Sequence, residues 1–89
     1  MPALWISHVD VTDEETYAKY AVIAKEAITA FGGEFLARGA RYVQLEGQDR
    51  ARNVVARFAT LEDGVACYKS PRYQEALEFA KTSSVRDLM

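Results

Sequence analysis

The first third of the chain has a strand-like run of apolar residues followed by a helical spacing of apolar residues. Residues 4–9 are rich in β-branched and aromatic side chains and end at a polar cluster, a pattern typical of a strand followed by a turn. Thr12 and Glu15 have the spacing of a capping box, which predicts that a helix begins there. Apolar residues then recur at steps of three and four until Gly32-Gly33, where we expect the helix to end.

The middle of the chain has the pattern of a β-hairpin. Residues 34–46 favour a long strand with an interruption at Gly39-Ala40, where glycine commonly marks a bulge or a sharp bend. Residues 47–49 have turn chemistry, and residues 53–58 favour a third strand. We expect these two strands to pair with each other.

A second helical stretch and a short final strand follow. Thr60 predicts a helix start, and Ser70-Pro71 predicts a restart, because serine caps helices and proline suits their first position. Residues 85–89 favour a fourth strand that is shorter than usual. We therefore expect only a few hydrogen bonds from it to the first strand. A partner subunit or tail residues should then cover the open edge near residues 4–6.

The predicted order of elements is βαββαβ. This is the α+β, ferredoxin-like pattern, with an antiparallel sheet, two helices on one face, and the first and third strands in the centre. The other face of the sheet carries the apolar residues Leu4, Ile6, Leu36 and Val55. Because bare apolar faces are usually covered, we expect a homodimer that pairs through its sheet faces.

Length and composition indicate one ordinary globular domain. The 89 residues form a single domain over 1–89, and a composition of 49% hydrophobic and 27% charged residues excludes a disordered or low-complexity chain. A chain of this size buries only about 60% of its unfolded surface. Its small core is a second reason to expect a dimer.

Charge, hydrophobicity and cysteine content indicate which classes of partner and which cellular location to expect. The chain has 11 Lys and Arg against 13 Asp and Glu, a net charge of −2, which argues against nucleic acid as a partner. No apolar run is long enough to cross a bilayer, so we expect no membrane partner. A single cysteine and an N-terminus without signal-peptide features predict a cytoplasmic location.

Several familiar kinds of site do not fit the spacing. Ser7 and His8 are neighbours on a strand and point to opposite faces, so they do not form a catalytic dyad. Cys67 follows apolar residues on a predicted helix, which favours a buried, inert thiol over a Cys–His nucleophile. Gly32-Gly33 follows a helix, whereas a phosphate loop precedes one. We expect no metal and no cofactor.

A combination of short motifs resembles a known family. The chain resembles the bacterial domain of unknown function thirteen-thirty (DUF1330) in the segments Trp5-Ile6-x-x-Val9-Asp10-Val11-Thr12-Asp13, Tyr17-x-x-Tyr20, Gly32-Gly33-x-Phe35-Leu36-Ala37-Arg38-Gly39, Leu45-Glu46-Gly47 and Ser70-Pro71-x-Tyr73. The resemblance implies a dimeric α+β barrel in a superfamily that includes cofactor-free monooxygenases and isomerases. It implies no particular reaction. It also implies a full fourth strand that continues past Leu88.

One group of polar residues is a candidate site. If alternation holds along each strand, His8, Arg38, Asn53 and Arg57 share the bare face of the sheet, and Tyr17, Tyr20, Tyr68 and Tyr73 pack in the core. Charged groups on a covered face need partners or water. They either pair with acids of the partner subunit or form an anion-binding pocket in which His8 transfers protons. The surplus of arginine between residues 38 and 57 likewise indicates either a solvated surface or a weakly anion-attracting cleft.

Two functions follow from these observations. The first is an uncharacterised homodimer that binds a small molecule, such as an organic anion, with Arg38, Asn53 and Arg57 as ligand-binding candidates. The alternative is a cofactor-independent enzyme, similar to a monooxygenase or an isomerase, that acts on a small organic acid or aromatic compound. In that enzyme His8 would be the acid or base and Arg38 would stabilise negative charge.

Overall fold

The computed structural model describes residues 1–39 and 41–89, and the predicted α+β, ferredoxin-like fold is confirmed. Its elements are β1 (Ala3–Val11), α1 (Glu14–Ala30), β2 (Glu34–Arg38), β3 (Arg52–Phe58), α2 (Leu61–Lys69), α3 (Pro71–Ser83) and β4 (Ser84–Leu88).

The strands form one antiparallel sheet in the order β2-β3-β1-β4, so the two central strands are those predicted. Trp5, Ser7 and Val9 of β1 are buried toward the helices, whereas Leu4 and Ile6 are exposed on the opposite side. The molecule measures only 17 Å along its shortest axis, the thickness of one sheet and one helical layer. One face of the sheet, here called the open face, therefore has no helix on it.

The starts of α2 and α3 follow the predicted caps. Thr60 Oγ1 accepts a hydrogen bond of 3.1 Å from the Asp63 amide, and Ser70 Oγ accepts one of 3.3 Å from the Tyr73 amide. Pro71 lies in the first turn of α3. Because the backbone of Ser70 is extended (φ −64°, ψ 149°), the predicted second helix is in fact two helices.

The cap of α1 differs from the predicted one. Asp13 is the N-cap, and its carboxylate accepts hydrogen bonds from the amide and the hydroxyl of Thr16 at 3.2 and 2.7 Å. The predicted pair, Thr12 and Glu15, lies one residue too early. Aspartate and serine or threonine are comparable caps, so sequence alone did not separate these neighbouring positions.

The core lies between the sheet and the inner faces of α1 and α3. Small alanines on both helices let them approach closely, and the predicted burial of Tyr17, Tyr20 and Tyr73 is confirmed. Tyr68 was expected in the core as well, but it is partly exposed, because α2 lies at the margin of the helical layer.

The second strand is much shorter than the predicted 34–46. Strand β2 ends at Arg38, and residues 41–51 contain no helix or strand. Gly39 has a positive φ of 64°, which ends the extended backbone there. The predicted interruption also includes Ala40, which lies outside the described residues.

The fourth strand has the five residues predicted for it, begins one residue earlier and is paired along its whole length. It begins at Ser84 and pairs with Ser7–Val11 over five residues, and Met89 extends the ladder through two hydrogen bonds with Ile6 at 2.8 and 3.0 Å. The expectation of an incomplete strand is therefore wrong, because β4 follows α3 without a loop. Coverage of the remaining edge near residues 4–6 stays a prediction.

Candidate functional site

The four residues singled out in the sequence do not share one face of the sheet. His8 and Asn53 are directly opposed on β1 and β3, and Arg57 lies on the same open face, opposite Leu4. Arg38 does not join them. The structure therefore brings His8 and Asn53 together, and it separates both of them from Arg38.

A β-bulge explains the displacement of Arg38. The register of β2 against β3 shifts between Phe35 and Ala37, so that Ala37 pairs with Val55 and Arg38 pairs with Val54. One extra residue reverses which face the following side chains occupy. The guanidinium of Arg38 stacks 5.0 Å from the ring of Phe35 on the helical side. The predicted placement of Arg38 on the open face is thus wrong.

His8 is held by two acceptors. Its Nε2 donates to the Gln48 carbonyl at 2.8 Å, and its Nδ1 donates to Asn53 Oδ1. The amide of Asn53 is oriented by a 3.0 Å bond from its Nδ2 to the Arg50 carbonyl. Because both ring nitrogens face acceptors, the site favours the imidazolium form, and the hydrogen bonds to Asn53 and Gln48 raise the pKa of His8.

We predict a measurable pH dependence from this arrangement. A pKa above the ordinary 6.5 means that the protonated ring stabilises the fold below that pH, and that this contribution is lost as pH rises through the folded-state pKa. In an NMR titration, Asn53→Ala should lower the pKa of His8 toward its ordinary value. Arg57→Ala, on the same strand, should leave it unchanged. An unaltered pKa in Asn53→Ala would contradict the assigned contact.

The other charges on the open face near His8 are paired within the chain. Arg50 lies 2.9 Å from a carboxylate oxygen of Asp10 and 3.4 Å from one of Asp87. Asp87 is also the register partner of His8. These pairs join residue 50 of the long β2–β3 connection to β1 and β4. Because Asp10 and Asp87 already neutralise Arg50, this arginine is not available to bind an anion.

A cavity of about 500 Å³ opens on the helical side, between the sheet and helices α2 and α3. This volume lies in the range of small-molecule sites, about 300–1,000 Å³. The wall is mostly apolar, and its principal side chains are Trp5, Phe58, Leu61, Val65, Tyr68 and Leu77. The cavity is lined on one side by α2, which packs against the two central strands, and on the other by residues of β1, α3 and β4.

Aromatic rings give one side of this cavity a fixed shape. The ring of Trp5 lies 5.7 Å from that of Phe58 and 6.1 Å from that of Tyr68. Behind them, Tyr73 contacts Trp5 edge-on at 5.1 Å. Such tilted and edge-on pairs are favourable beyond the area that they bury. The cavity wall is therefore preformed, as ligand sites usually are.

Arg86 is the charged residue that connects this cavity to the core. Its Nη2 donates to Tyr20 Oη at 2.7 Å and to Tyr73 Oη at 3.2 Å, and its guanidinium lies 4.4 Å from the centre of the Tyr20 ring. The two hydroxyls are 2.7 Å apart. Burial raises the pKa of both tyrosines, so they are neutral phenols.

Sequence reasoning missed Arg86 and the cavity. An available signal was strand alternation, since Arg86 shares the parity of Leu88 and faces inward once β4 pairs with β1. The expected shortness of the strand concealed that signal. The cavity itself depends on how α2 sits against the sheet, which no local pattern reports.

The remaining reactive groups contribute no further site. Cys67 is buried, as expected, and burial raises the pKa of its thiol to about 11, which keeps it protonated and unreactive. Among residues 1–39 and 41–89, no cluster of three or more His, Cys, Asp or Glu side chains is arranged to hold a metal ion. Within the same residues, none of the helices has the length and apolar character needed to span a bilayer.

Comparison with known proteins identifies a family and a fold. The model of the family described as "Domain of unknown function (DUF1330)" matches residues 2–89. The comparison with curated proteins found no match. The RPA0582 protein of unknown function from Rhodopseudomonas palustris has a TM-score of 0.83 and 18% identity, with 99% of this chain and 78% of that one covered.

Two further solved structures are similar in fold. SnoaB, a cofactor-independent oxygenase from Streptomyces nogalater, has a TM-score of 0.63 and 9% identity, covering 99% of this chain and 88% of its own. A dimeric protein of unknown function with a ferredoxin-like fold, from Bacteroides fragilis, has a TM-score of 0.58 and 14% identity, covering 99% and 92%. At these identities the likeness establishes the fold alone.

Proposed function

This chain belongs to the DUF1330 family of domains of unknown function, and from its geometry we propose that it is a homodimeric binding protein for a small, largely apolar organic molecule. The observation that carries the proposal is the cavity between the sheet and helices α2 and α3.

The cavity supports binding because its wall is largely apolar and reaches solvent. Leu61 and Val65 of α2 are both exposed at its mouth, while Phe58 and Trp5 are buried at its base. Removing an apolar molecule from water into such a site contributes about 25 cal/mol per Å² of buried area. A preformed wall also limits the entropy lost on binding.

The open face of the sheet supports the dimer. Its apolar side chains Leu4, Ile6 and Val85 are 54%, 37% and 52% exposed. The surface area of 5821 Å² exceeds the value of about 5,200 Å² expected for a compact monomer of this mass. The molecule is flat, 29 by 28 Å along its two longer axes and 17 Å along the third, so the open face lies on one of its two broad sides. The Bacteroides fragilis protein of similar fold is itself dimeric.

The enzymatic alternative has less support. A cofactor-independent enzyme with His8 as acid or base and Arg38 as the anion-stabilising group needs both side chains in one site, and the bulge in β2 places them on opposite faces. We propose the His8, Asn53 and Arg57 group as part of the dimer face instead. A chemical change in a compound bound in the cavity, seen by mass spectrometry, would restore the enzymatic alternative.

A cavity-filling substitution tests the binding function. Val65→Phe adds a ring at the mouth of the cavity and should weaken binding of an apolar probe about tenfold, because overpacking a site costs about 1–3 kcal/mol. Phenylbutanoate and its neutral amide serve as probes. Trp5 is the only tryptophan and lines the cavity, so its fluorescence reports binding.

Val22→Phe is the matched control for that experiment. Val22 is 61% exposed on α1, against 43% for Val65 on α2, and it does not line this cavity. Binding should be unchanged in Val22→Phe. If neither probe binds the unaltered protein at millimolar concentration, or if Val65→Phe binds as well as Val22→Phe, the proposed binding function is wrong.

A further inference from the structure

A partly buried positive charge without a carboxylate partner lies at the wall of the cavity. Arg86 is mostly removed from solvent, and among residues 1–39 and 41–89 no carboxylate lies within ion-pair distance of it. Its Nε is buried with no hydrogen-bond acceptor in that part of the chain. Buried charges in proteins are normally paired, because desolvation of an isolated ion is costly.

The neighbouring tyrosines do not supply the missing negative charge. Tyr20 and Tyr73 are neutral phenols that accept from the guanidinium, so they leave its full positive charge in place. The two hydroxyls share one hydrogen bond, which uses one of their two hydrogens. The second hydroxyl hydrogen has no acceptor in the described residues. Two donors of this cluster, that hydroxyl and Arg86 Nε, therefore have no acceptor among the described residues.

The other residues of the cavity wall restrict which ligand could supply an acceptor oxygen. Trp5, Phe58 and Leu77 are apolar, so the body of a bound molecule must be apolar as well. The other cation at the cavity, Lys81, is exposed and already lies 2.9 Å from Glu78. A ligand that matches this wall has a single anionic group at one end. A carboxylate accepts strong, charge-assisted hydrogen bonds from a guanidinium, and Arg86 Nε is a donor that the described residues leave unpaired.

We propose that the cavity takes an apolar monocarboxylate, whose carboxylate binds Arg86 beside the hydroxyls of Tyr20 and Tyr73. This inference rests on the proposed binding function and adds the chemical class of the ligand to it. Arg86 both anchors the ligand and sets its orientation, with the apolar body against Trp5 and Phe58.

The test compares phenylbutanoate with phenylbutanamide, two probes of the same shape that differ in charge. Trp5 fluorescence should show that the unaltered protein binds the carboxylate about ten to a hundred times more tightly than the amide, as expected for charge-assisted hydrogen bonds in a buried site. Arg86→Met keeps the apolar stem and should abolish the difference between the probes. Arg86→Lys keeps the charge and should retain part of it.

Arg57→Met controls for a general loss of positive charge. Arg57 is exposed on the open face, so the carboxylate preference should survive its removal. Equal affinity of the unaltered protein for both probes would overturn the carboxylate site and leave the proposed binding function standing. If circular dichroism shows that Arg86→Met does not fold, the test uses the ratio of the two probe affinities in the unaltered protein and in Arg86→Lys. A ratio that does not fall in Arg86→Lys would then overturn the inference. Loss of the preference in Arg57→Met would place the anion site on the open face and overturn the inference.

Discussion

Ile6→Glu is expected to convert the proposed homodimer into monomers. Ile6 lies on a central strand, opposite Val55 on one side and hydrogen-bonded to Met89 on the other, near the middle of the open face. In a two-fold symmetric interface the substitution places two carboxylates in the buried centre. Because each unpaired buried charge costs several kcal/mol, the dissociation constant should rise at least about a hundredfold.

Sedimentation at micromolar concentration measures this effect. The unaltered protein should sediment as a dimer of the 10.0 kDa chain, and Ile6→Glu as a monomer. Val22→Glu makes the same change in an exposed valine of α1 and should remain dimeric. A monomeric unaltered protein, or a dimeric Ile6→Glu, would show that the open face is not the interface.

Phe58→Ala should cost about 3–5 kcal/mol of folding free energy, the range for large-to-alanine changes at buried aromatic positions. Phe58 is fully buried at the end of β3, and its ring contacts Trp5 and fits closely against Gly33. A domain of this length has a total stability of about 4–13 kcal/mol. The variant should therefore be partly unfolded at room temperature or unfold in very little urea.

Phe31→Ala is the control for that loss. Phe31 is the C-cap residue of α1 and is exposed, so its truncation should change stability by no more than about 0.5 kcal/mol. Urea unfolding of both variants gives the comparison. A loss below about 1 kcal/mol in Phe58→Ala would contradict the placement of its ring in the core.

The proposed dimer face and the cavity meet at Leu4, which is exposed on the open face and also lines the cavity, but the residues that test the two surfaces lie on opposite sides of the sheet. Ile6 faces away from the helices, whereas Val65 and Arg86 lie on the helical side. Monomeric Ile6→Glu should therefore keep its cavity. Binding and association can then be assigned to different faces with single substitutions.

The order of strands and helices was predictable because local chemistry determines it. Ser70 and Pro71 end one helix and begin the next through a cap and a fixed φ, both of which can be recognised in the sequence. The alternation in β1 likewise predicted which side of that strand is buried. These features depend on neighbours in sequence, so tertiary context did not alter them.

The site was not predictable for the opposite reason. The bulge after Phe35 inserts one unpaired residue, and that single insertion moves Arg38 to the other face of the sheet. Arg86 faces inward because it pairs with Val9 of β1, a register that the short segment does not reveal by itself. Pairing register and helix placement determine both outcomes. Neither leaves a pattern in the composition of the segment itself.

The central claim, that the cavity binds a small apolar molecule, is tested most directly by locating the bound probe. An amide NMR titration of the uniformly labelled protein with phenylbutanoate reports which residues it contacts. The account predicts saturable shifts at Trp5, including its indole N–H, and at Tyr68 and Leu88, which line the cavity. Shifts confined to His8, Asn53 and Arg57, or no saturable shifts at all, would contradict it.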